Sequence, residues 1–193
     1  MAEAPAIEFV SPGRFEVRNP SPGSPVPHAP IPAGATHSQP ITGPDQLRLH
    51  TLEIARRARR SLLIYTPDLE PWLYDDATFV QACLEFVRAH PRNQLQVLLA
   101  DPTRAIREGH RLVGLARRLT SKIALRRTNP EIDCGDCAFL IADDMSLIMR
   151  PNADQAAGLV SHQARGRVRQ QRALFTQAWE RGMIDPNLRS LYL

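Results

Sequence analysis

Apolar positions along this chain follow two alternating rhythms. Short, nearly unbroken apolar runs occur at "SLLIYT" (61–66), "QLQVLLA" (94–100) and "KIALRR" (122–127). Their length and their Gly/Pro-marked flanks predict buried strands. Between them lie segments with apolar residues at helical spacing. "GPDQLRLHTLEIARRARR" places Leu47, Leu52, Ala55 and Ala58 near one face, with Pro44 or Asp45 at its start. "DDATFVQACLEFVRAH" aligns Phe79, Cys83, Phe86 and Val87 behind a capping Asp75 or Asp76 and stops before Pro91. Asp101-Pro102 opens a third helix, predicted to run unbroken to about Thr120.

Helices alternating with continuously apolar strands predict an α/β domain whose sheet is largely parallel. "AFLIAD" and "SLIMR" then follow closely, joined at Asp143-Asp144-Met145, and read as a β-hairpin added to that sheet. A last helix is predicted from about Gln163 to Arg181, carrying Val168, Leu174, Phe175 and Trp179. "NLRSLYL" at the C-terminus is expected to pack back on the body.

The first 44 residues break both rhythms. They hold ten of the 17 prolines, and Asn19 to Pro40 reads as a disordered or polyproline-like linker. "IEFV" and "RFEVR" ahead of it suit a small hairpin or a docked strand. The organisation expected is a Pro-rich tail over 1–44 and a folded domain over 45–193.

Composition narrows the class. The chain is 193 residues long, 43% hydrophobic and 6% aromatic, so its core must be built mainly from Leu, Ile, Val and Ala. No apolar run approaches the ~20 residues of a membrane span, and the N-terminus lacks the pattern of a secretory signal. A cytoplasmic protein of bacterial type is expected. Three cysteines do not make a disulfide framework. Cys134 and Cys137 lack a second pair for a structural metal and lead into a strand, not a helix, so neither a metal site nor a redox centre is expected. Asp143 and Asp144 read as turn residues.

The net charge is +4, and Lys122 is the only lysine among 24 basic residues. Thr103 to Thr128 holds eight basic residues against one acid, Glu108. On one continuous helix Arg104, Arg107, Arg111 and Arg118 would share a face. They form a candidate phosphate-tracking surface, with Arg126 just beyond it. Arg165, Arg167, Arg169 and Arg172 form a second basic group at the start of the last helix. "YTPDLEPWLYDD" (65–76) brings Trp72 and Tyr74 to the loop after the first strand, as core cover or as a partner surface. His110 and His162 read as exposed or helix-terminal.

The element order, a strand ending in Asp143, the short turn, "LIMRPN" and the closing helix with "LFTQAW" together resemble one half of the phospholipase D superfamily over most of residues 45–182. The resemblance implies a phospholipase D-like α/β half with helices on both faces. Active members carry H-x-K-x-x-x-x-D on this strand. With Asp143 at the Asp position, the nucleophilic His falls on Asp136 and the phosphate-binding Lys on Ala138. The reactive pair is therefore replaced, which implies no catalytic residue and no cofactor. The chain is expected to be a non-catalytic binding module for nucleic acid or another phosphate-bearing ligand. Arg150 and Asn152 would lie at the degenerate pocket with Asp136, Ala138 and Asp143. The alternatives are a divergent phosphodiesterase or phosphatidyl transferase, and an accessory domain that meets a protein partner through the Pro-rich tail. The superfamily's half-length members pair, which implies a homodimer.

Overall fold

The computed structural model of the protein describes residues 38–129, 131 and 136–189. The hairpin expected near the N-terminus, Cys134, and most of the Pro-rich segment lie outside these residues. Fourteen elements follow in order. Strand β1 (Ser38–Thr42) precedes helix α1 (Pro44–Arg57), strand β2 (Ser61–Thr66), the single turn α2 (Pro71–Tyr74) and helix α3 (Ala77–Ala89). Strand β3 (Gln94–Leu99), helices α4 (Thr103–Arg107) and α5 (Arg111–Arg118) and strand β4 (Ile123–Arg127) come next. Strands β5 (Ala138–Ala142), β6 (Ser146–Arg150) and β7 (Ala157–Ser161) and helices α6 (Arg165–Glu180) and α7 (Pro186–Arg189) complete the chain.

One seven-stranded sheet carries the fold, in the order β1-β7-β6-β5-β2-β3-β4. β2, β3 and β4 are parallel neighbours, each returning through helices. β5, β6, β7 and β1 extend the sheet antiparallel from the other side of β2. The hairpin read from sequence is thus the start of a longer antiparallel half. β1 escapes a pattern search because it is polar apart from Pro40 and Ile41, and β7 because it is a five-residue segment whose Gly158 interrupts the apolar run. Ser38, Gln39 and Pro40, read as the end of the linker, belong to β1. Proline is tolerated there because the outer side of an edge strand needs no ladder donor.

Two cores lie on opposite faces of the sheet. Leu47, Ile54, Leu62, Ile64, Phe79, Val97 and Leu112 pack beneath α1, α3 and α5. Leu63, Tyr65, Leu98, Phe139, Val168 and Phe175 pack beneath α6. The strand period of two assigns alternate residues of β2 to the two cores. On the α6 side, Tyr65 stacks on Phe139 at 5.1 Å, Phe139 meets Phe175 edge-on at 6.3 Å, and Phe175 stacks on Trp179 at 5.6 Å. Gly158 in β7 sits so close to the Met149 carbonyl and the Arg150 stem that a Cβ there would overlap both.

α3 starts where Asp76 places a carboxylate oxygen 2.9 Å from the Thr78 amide and 3.0 Å from that of Phe79. The Phe79 amide bond holds the Asp76 carboxyl below its usual range. Asp76→Ala is expected to cost about 1 kcal/mol. Because the folded-state pKa is depressed, the cap's contribution is complete above the ordinary Asp value and disappears as pH falls through the folded one. Urea melts of both proteins at neutral and acidic pH would show the difference shrinking with acid.

The third helix is two helices. Gly109 takes φ +69 and ends α4, and His110 caps α5. The continuous face that would have aligned Arg104 and Arg107 with Arg111 and Arg118 is therefore broken.

Candidate functional site: an arginine groove and a filled motif edge

Ala138 and Arg150 face each other across β5 and β6, at the end of β2 where Thr66 and the 67–70 loop emerge. Ala138 is completely buried and Arg150 is 1% exposed. The Arg150 guanidinium makes a short ion pair with Glu70 Oε2 and donates to the Ala153 carbonyl at 2.8 Å. Thr66 Oγ1 donates to the same Glu70 oxygen at 3.0 Å. Trp72 covers the pair, its ring centroid 5.9 Å from the guanidinium. The loop reaches this position through two residues with positive φ, Leu69 at 65° and Glu70 at 27°. Burial pushes the Glu70 carboxyl up, against the pull of Arg150 and Thr66.

The space at this edge is thus filled by a buried ion pair under an aromatic lid. Arg150, expected to face a phosphate, is instead consumed by Glu70. Asn152 folds back on its own turn, accepting the Asp154 amide at 2.9 Å. Asp136 is exposed, and its carbonyl accepts the Ala153 amide at 2.7 Å. Trp72 and Tyr74 both pack on the core, Tyr74 fully. Cys137 is buried beneath α6.

Asp143 lies at the opposite end of β5, so it shares no pocket with Asp136, Arg150 and Asn152. It sits at φ 56, and its carboxylate accepts the amides of Arg59, Arg60 and Ser61 at 2.7–3.3 Å. The residue that matches the family's Asp works here as a backbone cap for the start of β2, consistent with the turn reading.

Of the arginines after β3, Arg104 and Arg107 are ion-paired and Arg111 and Arg126 are tied to backbone carbonyls. Arg104 pairs with Asp68 at 3.1 Å and Glu108 at 3.3 Å. Arg107 lies 3.6 Å from Glu108. Arg111 donates its amide to Asp75 Oδ1 at 2.7 Å and a guanidinium N–H to the Asp75 carbonyl at 3.2 Å. Arg126 lies over the Trp179 ring at 4.6 Å and donates to its carbonyl. Arg118 is exposed. Counting charges along the segment missed Asp68 and Asp75 because the loop after β2 supplies them through space.

His110 is buried, not exposed. Its Nδ1 accepts the Leu112 amide at 3.1 Å and its Nε2–H donates to the Leu69 carbonyl at 3.2 Å, which defines the neutral tautomer. Burial holds its pKa below the usual 6.5. The unfolded chain therefore takes up this proton first, so stability should decline as pH falls below about 6.5. Denaturant midpoints across this range should fall less in His110→Asn, which keeps a capping oxygen.

The open basic surface lies elsewhere. Arg59, Arg60, Arg165, Arg169 and Arg172 line a groove of about 630 Å³ with Asp143, Asp144, Met145 and Val168. Arg172 crosses its floor, donating to the Asp143 carbonyl at 2.6 Å and to Ser61 Oγ at 2.8 Å, with Asp144 3.3 Å away. Asp143 and the exposed Asp144 thus set two carboxylates against the five arginines. Arg59, Arg60, Arg165 and Arg169 are exposed and make no ion pair among the described residues. α6 has no acid in its first turn and no side-chain cap. Its N-terminal dipole therefore adds to the arginines' positive potential. A second hollow of about 310 Å³ shares Arg60 and Arg172 and continues past Arg92, Gln94 and Gln96 to Trp179.

Of these residues, Arg165, Arg169 and Arg172 were visible in sequence as a basic helix start. Arg59, Arg60 and Arg92 were not, although the doubled "ARRARR" ending α1 was the available signal. His50, Glu53 and His162 also come together, the group with metal-ligand chemistry among the described residues.

Residues 43–191 match the family described as a domain of unknown function (DUF7931). The chain belongs to this family. No curated protein matches it. Solved structures that share its fold include the following three. TrmBL2, described as an archaeal chromatin protein with a novel mode of DNA binding, is similar with TM-score 0.56 and 15% identity. That match covers 79% of this chain and 56% of TrmBL2. Nuc from Salmonella typhimurium, a phospholipase D family member, is similar with TM-score 0.53 and 13% identity, covering 77% of this chain and 97% of Nuc. NucT from Helicobacter pylori has TM-score 0.52 and 10% identity, covering 77% and 99%. The family's fold is thus a phospholipase D-like α/β half, as the resemblance implied. Among the described residues no helix is long and apolar enough to cross a membrane.

Proposed function

We propose that this chain is a non-catalytic phospholipase D-like module of the cytoplasm that binds nucleic acid through the groove between α6 and the start of β2. The observation that carries the reading is the convergence of five arginines on one groove against two carboxylates, Asp143 and Asp144. Arginine's planar fork suits phosphate oxygens, and unpaired guanidinium groups are available to displace counterions from a phosphate backbone. The non-catalytic half of the reading is supported by the motif edge, where the Lys position is the buried Ala138, the Glu70–Arg150 pair fills the space, and the His position holds only the exposed carboxylate of Asp136. The fold shared with a DNA-binding chromatin protein makes nucleic acid the natural first probe.

No aromatic side chain lines the arginine groove, so recognition would run along the backbone and tolerate any sequence. The test is fluorescence anisotropy with short mixed-sequence DNA and RNA over a salt series. Affinity that falls log-linearly with salt supports the reading. No binding at low salt, or binding indifferent to salt, rejects it.

A further inference from the structure

His50 and Glu53 lie one turn apart on α1, and His162 follows the end of β7. The i, i+3 spacing puts the first two on one helix face, and β7 delivers the third to it from a segment more than a hundred residues away. One ligand atom from each falls within 4.8 Å of the others. His50 Nδ1 and Glu53 Oε2 are 3.6 Å apart. That is too long for a hydrogen bond, but close to the separation of about 3.3–3.5 Å between two ligands sharing a tetrahedral ion at bond lengths of about 2.0–2.1 Å. His50 Nδ1 is also buried with no hydrogen-bond partner among the described residues, a state that buried polar atoms rarely occupy without an ion or water to satisfy them.

We propose that His50, Glu53 and His162 bind a divalent transition-metal ion of the zinc class. Two imidazoles and one carboxylate suit such an ion, whereas magnesium and calcium take oxygen ligands. Arg57 holds the other Glu53 oxygen at 3.0 Å and so orients the carboxylate from outside the ligand set. Three protein ligands leave at least one coordination position for water or an exogenous anion. None of the groove arginines is a ligand, so this site stands or falls apart from the nucleic-acid reading. The competing account is a plain imidazolium–carboxylate pair.

The full chain, stripped with chelator and titrated with Zn²⁺ or Co²⁺, tests it. One equivalent should bind, raise Tm by about 5 °C at metal well above Kd, and give the visible absorption bands of tetrahedral Co²⁺. His162→Ala should abolish both signals while its metal-free melt stays near that of the parent. Should that variant lose its own melting transition, Glu53→Gln carries the same expectation. Cys134→Ser/Cys137→Ser should keep both signals. No shift and no bands with the parent protein would overturn the site. So would signals that survive in His162→Ala or Glu53→Gln, or that vanish in the double cysteine variant.

Discussion

Arg150→Met, made while Glu70 remains, is expected to cost about 3–5 kcal/mol of folding stability. It strands a buried carboxylate that now has Arg150 and Thr66 as its polar partners. A surface pair would be worth far less, but Arg150 and Glu70 are 1% and 5% exposed, and solvent cannot replace either partner. Burial already holds the Glu70 pKa above 4.5 in the parent protein, and loss of the guanidinium should raise it further. A carboxyl whose folded pKa is raised favours the fold below its unfolded pKa and loses that advantage as pH rises through the folded one. The deficit of Arg150→Met should therefore be largest at neutral pH and shrink in mild acid. Arg150→Met combined with Glu70→Gln should recover much of the loss at neutral pH, since no charge is left unpaired. Urea unfolding of the three proteins at two pH values measures each of these. A loss under about 1 kcal/mol for the single variant would mean that water reaches Glu70.

Arg165→Gln/Arg169→Gln is expected to weaken nucleic-acid binding roughly thirtyfold at low salt. The estimate takes about 1 kcal/mol for each contact between exposed unit charges in water, or about 2 kcal/mol for two, at about 1.4 kcal/mol per factor of ten. The slope of log affinity against log salt should flatten by about 2, because roughly one counterion is released for each phosphate contacted. Arg104→Gln/Arg107→Gln is the matched control, removing the same formal charge from arginines already held by Asp68 and Glu108. It should change affinity less than about threefold. The reverse ranking would move the binding surface to α4. Both double variants change exposed side chains and should melt near the parent.

The sequence was most legible where one local rule decides the outcome. The apolar runs of β2 and β3, the Asp76 cap of α3 and the β5–β6 hairpin each follow from a few adjacent residues, and each stands in the structure. β1 was hidden because an edge strand needs few apolar residues, and β7 because it is short and broken by Gly158. The break at Gly109 was hidden because a single glycine is compatible with a helix until tertiary contacts choose its φ. The candidate site was harder to read because charge acts through space. Asp68 and Asp75 reach back to the arginines of α4 and α5, while Arg59 and Arg60 reach forward to those of α6, across separations that no window along the chain spans. Glu70 looked like one more loop acid, and only its burial against Arg150 gives it a role.

The completely buried Ala138 has a further consequence. On paper, two substitutions, Asp136→His and Ala138→Lys, would rewrite the stretch as the superfamily's reactive motif. In the folded protein the new lysine would start from a position without solvent, opposite an arginine that already occupies the nearby carboxylate. A second buried cation there would be repelled by Arg150, and relief would require Glu70, Trp72 and the positive-φ turn at Leu69 to change together. The two substitutions alone would therefore not place a usable lysine at this edge. Ala138→Lys is expected to destabilise the fold before it could restore the motif.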